Sequence, residues 1–342
     1  MYTLTISSNY LFLVLGFFAF AFLFSIVIAP IYTSFLYKNR IGKKIRDTNY
    51  NGEKTPIYTK LHRGKENTPT MGGVIIWLPA AIITLLANYS RSGTLLPLFS
   101  LVSTGMIGGI DDLMNVFGVG ISRGGMRFIT KLILYCAVAV VGVWWFAYKL
   151  DWLTRDIYIP FVGGVSIGYW YIPLFVLVLV FSAFAANQTD GLDGLAGGVY
   201  AIAFVAYSLI ALLQGNLPLA VFCATVSGSI LAFLWFNIFP ARFFMGDTGA
   251  MSLGMTISVI AFLTNTLYAL PFIIFIPIVE AITTIIQITS KRFFHRKVFL
   301  VAPIHHHFEA VGWPETKVTM RFWVISAVFS ALGLVLILVK NF

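Results

Sequence analysis

The amino-acid sequence predicts an all-α integral membrane protein with ten transmembrane helices, and three observations predict it. Of 342 residues, 59% are hydrophobic and 11% charged, whereas soluble domains are about half apolar and a quarter charged. The apolar residues gather in runs close to the ~20 that cross a bilayer. The basic residues, finally, fall in alternate loops between those runs.

The runs cover residues 11–29, 71–89, 95–110, 128–148, 169–187, 195–213, 217–236, 250–270, 271–289 and 322–339. The first lacks a basic leader and a small-residue cleavage site, so it reads as a retained span. The eighth and ninth abut, and Asn265 and Pro271 are expected to make the turn between them. Segment 156–168, DIYIPFVGGVSIG, carries two short β-type stretches around Gly163-Gly164 and predicts a small external β-hairpin. No linker divides the chain, so residues 1–342 read as one membrane domain. Cys136 and Cys223 each sit inside an apolar run and give neither a disulfide framework nor metal-ligand spacing.

Nineteen of the 23 Lys and Arg lie in odd-numbered loops and their flanks; Arg91, Lys149, Arg155 and Lys340 lie opposite. The positive-inside rule then puts both termini outside and the odd loops in the cytoplasm. The net charge of +10 is accounted for by this asymmetry and by anionic membrane lipid, with no need for nucleic acid.

Ten of the thirteen acids fall on the same cytoplasmic side. Asp111 and Asp112 end the third run, Asn187, Asp190 and Asp193 follow the fifth, and Asp247 precedes the eighth. One aspartate at a helix end is a cap or a solvated loop acid. Five at one membrane depth call for a cation, and hard oxygen donors without clustered Cys or His favour magnesium, which commonly bridges to phosphate. Lys65, Arg123, Arg127, Lys131 and Arg242 lie near enough in topology to neutralise phosphate oxygens. Acids, metal and cations together point to phosphoryl transfer at a membrane surface. Three consecutive histidines, His305, His306 and His307, cannot all point one way, which argues against a closed three-His metal site. KRFFHRK at 291–297 reads as an interfacial anchor. Glu280, the one acid within a run, either pairs with a neighbouring helix or has a function.

Five segments carry a resemblance: TPTMGG from Thr68, the pair Asp111-Asp112, NQTDGLDGLA from Asn187, FPARFFMGDTG from Phe239 and PIHHHFEAVGWPETKV from Pro303. Together they resemble the phospho-N-acetylmuramoyl-pentapeptide transferases, a branch of the polyprenyl-phosphate N-acetylhexosamine-1-phosphate transferase family. The resemblance implies a multi-pass enzyme of the bacterial inner membrane, usually a homodimer, that moves phospho-MurNAc-pentapeptide from UDP-MurNAc-pentapeptide to undecaprenyl phosphate, giving lipid I and UMP with Mg2+. It implies Asp247 as metal ligand, and Asp111 and Asp112 where the lipid phosphate is positioned or deprotonated. Asn187 and Asp190 would contact the diphosphate, Asp193 the uracil edge, and Phe244 would stack on uracil. Lys65, Thr70, Asn237, Gln287 and His305 to His307 match other pocket positions.

Two positions depart from the family pattern. Asn115 stands where a lysine is expected beside the lipid phosphate, so either Arg123, Arg127 or Lys131 compensates or the lysine's role is less strict, and Asn115 is given no role; Gln188 replaces a leucine. Direct displacement is favoured over an aspartyl-phosphate intermediate, because a phosphate monoester loses its second proton near pH 6 and gains little from a base. Two rivals stand beside this reading. A GlcNAc-1-phosphate transferase would lack the histidine and GWPE segments, and a transporter or flippase would place its ionisable groups near the bilayer midplane.

Overall fold

The computed structural model describes residues 8–42, 65, 67–119, 125–150 and 156–339. Its helices are α1 (Ser8–Lys38), α2 (Val74–Ala87), α3 (Leu95–Phe117), α4 (Phe128–Tyr148), α5 (Tyr171–Thr189), α6 (Leu195–Leu213), α7 (Leu217–Asn237), α8 (Asp247–Leu263), α9 (Leu270–Ile273), α10 (Phe275–Phe294), α11 (Ile304–Ala310) and α12 (Glu315–Val339). Each predicted run lies largely on one of these helices. Among the described residues, six helical stretches, in α1, α4, α5, α6, α7 and α12, are long and apolar enough to cross a membrane. The α2 and α8 helices are apolar but shorter, at 14 and 17 residues.

Burial divides the helices into a centre and a rim. Every residue of α8 after Asp247 is buried, and α6 and α7 are mostly buried, whereas few residues of α1 and α4 are. The enclosed helices are rich in small and hydroxylated residues, which let backbones approach where lipid gives no hydrophobic drive for association. A Cβ built on Gly254 of α8 would stand 2.3 Å from the Ser182 carbonyl of α5, and one on Gly228 of α7 would stand 2.2 Å from the Phe18 carbonyl of α1. Ser25 also donates to Ser229 across the latter crossing, at 3.2 Å.

The even-numbered loops meet at one end. Asn88 donates to the Pro218 carbonyl, Gln214 to that of Thr264, and Asn265 to that of Asp156, at 2.9, 2.9 and 3.1 Å. The chain does reverse where the eighth and ninth runs abut: α8 stops at Leu263, Asn265 takes a left-handed φ of 50°, and Pro271 lies in the first turn of α9.

Two details differ from expectation. The α1 helix runs through Pro30 for two further turns, with Thr33 and Ser34 donating one turn back to the carbonyls of Ala29 and Pro30. The hairpin forms from β1 (Ile157–Ile159) and β2 (Gly163–Val165), paired antiparallel with Tyr158 opposite Gly164. Its turn is therefore Pro160 to Val162, and Gly163-Gly164 belong to β2. Proline presets the first turn position, Phe161 takes φ 66°, and Val162 N–H donates to the Ile159 carbonyl at 3.1 Å.

Helix crossing at glycine yields a stability test. Gly254→Leu should lower the melting temperature in detergent by several degrees, equivalent to about 1–3 kcal/mol of overpacking. Gly16→Leu, where a Cβ meets nothing within 4 Å, should leave it unchanged.

Candidate functional site

The site is built on the N-terminus of α8. Gly246 takes φ 75° and turns the chain into the helix. Asp112, buried at the end of α3, accepts from the N–H groups of Asp247 and Thr248 at 3.2 and 3.1 Å. It thereby satisfies two donors that a buried helix start would otherwise leave orphaned. Asp190 accepts from Gly246 N–H at 3.0 Å. A Cβ on Gly246 would lie 2.4 Å from an Asp112 carboxylate oxygen and 2.8 Å from the Thr70 hydroxyl, so glycine makes room for both. Close approach also fixes α3 and α2 here: a Cβ on Gly108 would meet the Asp247 carbonyl at 2.4 Å, and one on Gly73 would meet Gly249 Cα at 2.2 Å.

Lys131, in the first turn of α4, bridges two of these acids. Its Nζ lies 2.6 Å from Asp111 Oδ2 and 2.6 Å from Asp247 Oδ2. Asn187 donates to the other Asp247 oxygen at 2.6 Å. Asp111 is also held by Asn115, which donates to it at 2.9 Å, and by Met126 N–H. The side chain of Asp111 is 1% exposed, against 18% for Asp247 and 19% for Lys131. Asp247 and Lys131 are therefore more open to the outside than Asp111.

A second cluster adjoins the first and includes Phe244, three residues before Asp247. Lys65 Nζ is 2.7 Å from Asp193 Oδ1, contacts Glu315, and stands 5.9 Å from the centroid of the half-buried Phe244 ring. Asp193 further accepts from Ala241 N–H at 3.0 Å, and Glu315 accepts from Asp193 N–H at 2.6 Å. Asn237 accepts from Gly194 N–H and donates to the Phe243 carbonyl, both at 2.9 Å. Segment 69–73 pairs with 244–245: Phe244 N–H donates to Pro69, Gly72 N–H to Phe244 and Gly73 N–H to Met245.

The histidines occupy α11 and face three ways. Buried His305 sets Nδ1 2.9 Å from Glu280 Oε2, which answers the question of Glu280 with an interhelical partner. The other side of the ring lies against Gly191, where a Cβ would meet His305 Nε2 at 2.1 Å. His306 Nδ1 lies 2.7 Å from Glu309 Oε2. His307 Nδ1 accepts from Leu300 N–H at 3.2 Å, so the neutral ring carries its proton on Nε2. Gln287 accepts from the N–H groups of Val298 and Phe299 and donates to the Phe299 carbonyl.

The structure thus joins Asp111, Asp112, Asn187, Asp190, Asp247 and Thr70 in one cluster, and Lys65, Asp193, Phe244 and Asn237 in its neighbour. His305 reaches the same loops through Gly191. His306, His307 and Gln287 hold their own segment. Lys131 was one cation among several in the sequence, although it is the one charge within run 128–148, the signal that marks it. Glu315 gave no separate signal beyond its place in GWPE. Of the candidates to replace the missing lysine at Asn115, Lys131 meets Asp111, Arg127 is exposed, and Arg123 lies outside the described residues.

Among the described residues, no three His, Cys, Asp or Glu side chains close on a single metal position. The donors at the α8 N-terminus are instead carboxylate oxygens, in excess over one lysine. Such a set fits magnesium, which takes one or two carboxylates and completes its coordination with water and phosphate.

Comparison with known proteins fixes the family. The model "Glycosyl transferase family 4" matches residues 94–265, and the phospho-N-acetylmuramoyl-pentapeptide-transferase signature 1 matches residues 65–76. Proteins named phospho-N-acetylmuramoyl-pentapeptide-transferase are similar over nearly the whole chain. One from Chloroflexus aggregans is 39% identical over 331 residues, covering 93% of this chain and 88% of that protein. One from Acetivibrio thermocellus is 38% identical over 322 residues, covering 92% and 93%. One from a Geobacillus species is 36% identical over 319 residues, covering 92% and 94%. The chain belongs to the phospho-N-acetylmuramoyl-pentapeptide-transferase family. It is a glycosyl-1-phosphate transferase of cell-wall synthesis with several membrane-spanning helices. Within this transferase, the family-model match runs from the start of α3 to the turn after α8 and so contains every member of the Asp247 cluster except Thr70, which the signature supplies.

The capping role of Asp112 is testable apart from activity. Asp112→Ala leaves two buried N–H groups unpaired and should lower stability by about 1–3 kcal/mol. Asp112→Asn, which keeps one acceptor oxygen, should lose less. Chemical unfolding of both variants in mixed micelles checks the order.

Proposed function

We propose that this transferase moves phospho-MurNAc-pentapeptide from UDP-MurNAc-pentapeptide to undecaprenyl phosphate, releasing UMP and forming lipid I at the cytoplasmic face of the bacterial inner membrane. The observation that carries the reading is the Asp247–Lys131–Asn187 group, where a partly exposed carboxylate, a cation and an amide meet at the start of one helix. A diphosphate presents the charge and acceptors for which such a group is suited. The Lys65–Asp193–Phe244 cluster supports the uridine end, with the half-buried Phe244 ring as an aromatic face for the base and buried Asp193 holding Lys65 beside it.

In the reaction an oxygen of undecaprenyl phosphate bonds to the β-phosphorus of the UDP-sugar, the bond from that phosphorus to the bridging oxygen breaks, and UMP leaves. Attack of one anion on another requires charge neutralisation before it requires a base. Lys131 and Asn187 orient Asp247 and meet the phosphate oxygens. Asp247 would hold magnesium, which when bound offsets the diphosphate charge as a Lewis acid. Asp111 and Asp112 are almost wholly buried and already accept hydrogen bonds from the protein. That supports roles in holding the site and direct displacement over an aspartyl-phosphate.

Purified protein should release UMP from UDP-MurNAc-pentapeptide with undecaprenyl phosphate and a divalent cation. Asp247→Asn should lose that activity at least a hundredfold, about 3 kcal/mol of transition-state stabilisation, with an unchanged melting temperature. Consumption of UDP-GlcNAc in preference would favour the neighbouring branch, and near-normal turnover by Asp247→Asn at limiting magnesium would remove it from the metal role.

The ten-span topology with both termini outside predicts labelling. Cysteines at Phe161 and Asn265 should react with an impermeant reagent from outside, and those at Asn51 and Glu309 from inside. Reaction of Asn265 and Glu309 from the same side would contradict it.

A further inference from the structure

Residues 291–297, between Gln287 and the histidine helix, lie outside the contacts that build the site. All but Lys291 are exposed. Lys291, Arg292, Arg296 and Lys297 put four cations in seven residues, and no acid occurs in sequence between Glu280 and Glu309. Between the cations, Phe293 and Phe294 are 69% and 66% exposed, and the Arg292 guanidinium lies 5.8 Å from the Phe293 ring.

This turn is tied to α11. His295, at φ 53°, ends α10 and folds the chain back. Ser290 donates to the Arg296 carbonyl at 3.0 Å, and Gln287 makes three bonds to Val298 and Phe299. Leu300 N–H then donates to His307 Nδ1. From Lys297 to His307 the connection is three residues of strapped backbone and one hydrogen bond.

We propose that this basic and aromatic turn docks anionic phospholipid headgroups, and that its occupation fixes the position of α11. The cations suit phosphate diesters at a membrane surface, and the phenylalanines suit the acyl boundary below them. The inference rests on the reading that this loop lies at the cytoplasmic membrane surface.

The test uses the full chain in nanodiscs of phosphatidylcholine alone or of an equal mixture with phosphatidylglycerol, without substrate. Amide hydrogen exchange of residues 296–310 should slow several-fold in the mixture, less so in high salt. In K291Q/R292Q/R296Q/K297Q exchange should be the same in both lipids. The milder R296Q/K297Q, which leaves α10 unaltered, should lose part of the response, so a misfolded quadruple variant leaves the proposal open to refutation. Equal exchange in both lipids for the unmodified protein, or a full response in R296Q/K297Q, would overturn the proposal. So would slowing that requires undecaprenyl phosphate, which would give the turn to the lipid substrate. Slowing by phosphatidylglycerol in a protein with no UMP release in any lipid would support the docking site and refute the proposed reaction.

Discussion

Carboxylates gathered at the start of a buried helix repel one another, and the remainder of the structure is arranged around that repulsion. Two kinds of group offset it. The N–H groups at the α8 N-terminus bind Asp112 and Asp190 without adding a counter-charge, as the dipole of a helix start favours. Lys131 supplies a full positive charge in contact with both Asp111 and Asp247. Among the described residues, four carboxylates around one ammonium leave an excess of negative charge, and this supports the proposal that a divalent cation binds here.

Close helix packing is the condition for this arrangement. Asp112 can reach the first N–H groups of α8 because glycines at 73, 108 and 249 bring α2, α3 and α8 to near contact. The α8 helix is enclosed by its neighbours, so their packing fixes the position of its terminus. The rim helices face outward with apolar side chains, while the centre uses small and hydroxylated ones. Packing therefore determines the positions of the acids.

Much of this was legible in the sequence. The apolar runs, the reversal at Asn265 and the acids of the odd loops could all be read because each is a local property: hydropathy, turn chemistry or position at a helix end. The continuation of α1 beyond Pro30 could not, because the apolar run ends at Ala29 and proline there suggests a stop, whereas the helix runs on to Lys38. The sequence shows a hairpin but not its turn, since Pro160 and Phe161 make the turn and the more obvious Gly163-Gly164 pair lies in a strand. Lys131 was visible as a charge in an apolar run, yet its partners come from α3 and α8, which no spacing within α4 reveals. The division of labour among His305, His306 and His307 likewise depends on Glu280, Glu309 and Leu300, only one of which is near in helical register.

The central claim is that Lys131 and a divalent cation answer to the same carboxylates. Binding of Mn2+, followed by its electron paramagnetic resonance signal in the absence of nucleotide, tests it most directly. Lys131→Met should tighten Mn2+ binding and Asp247→Asn should weaken it, each relative to the unmodified protein. Binding unchanged in both variants would contradict the account.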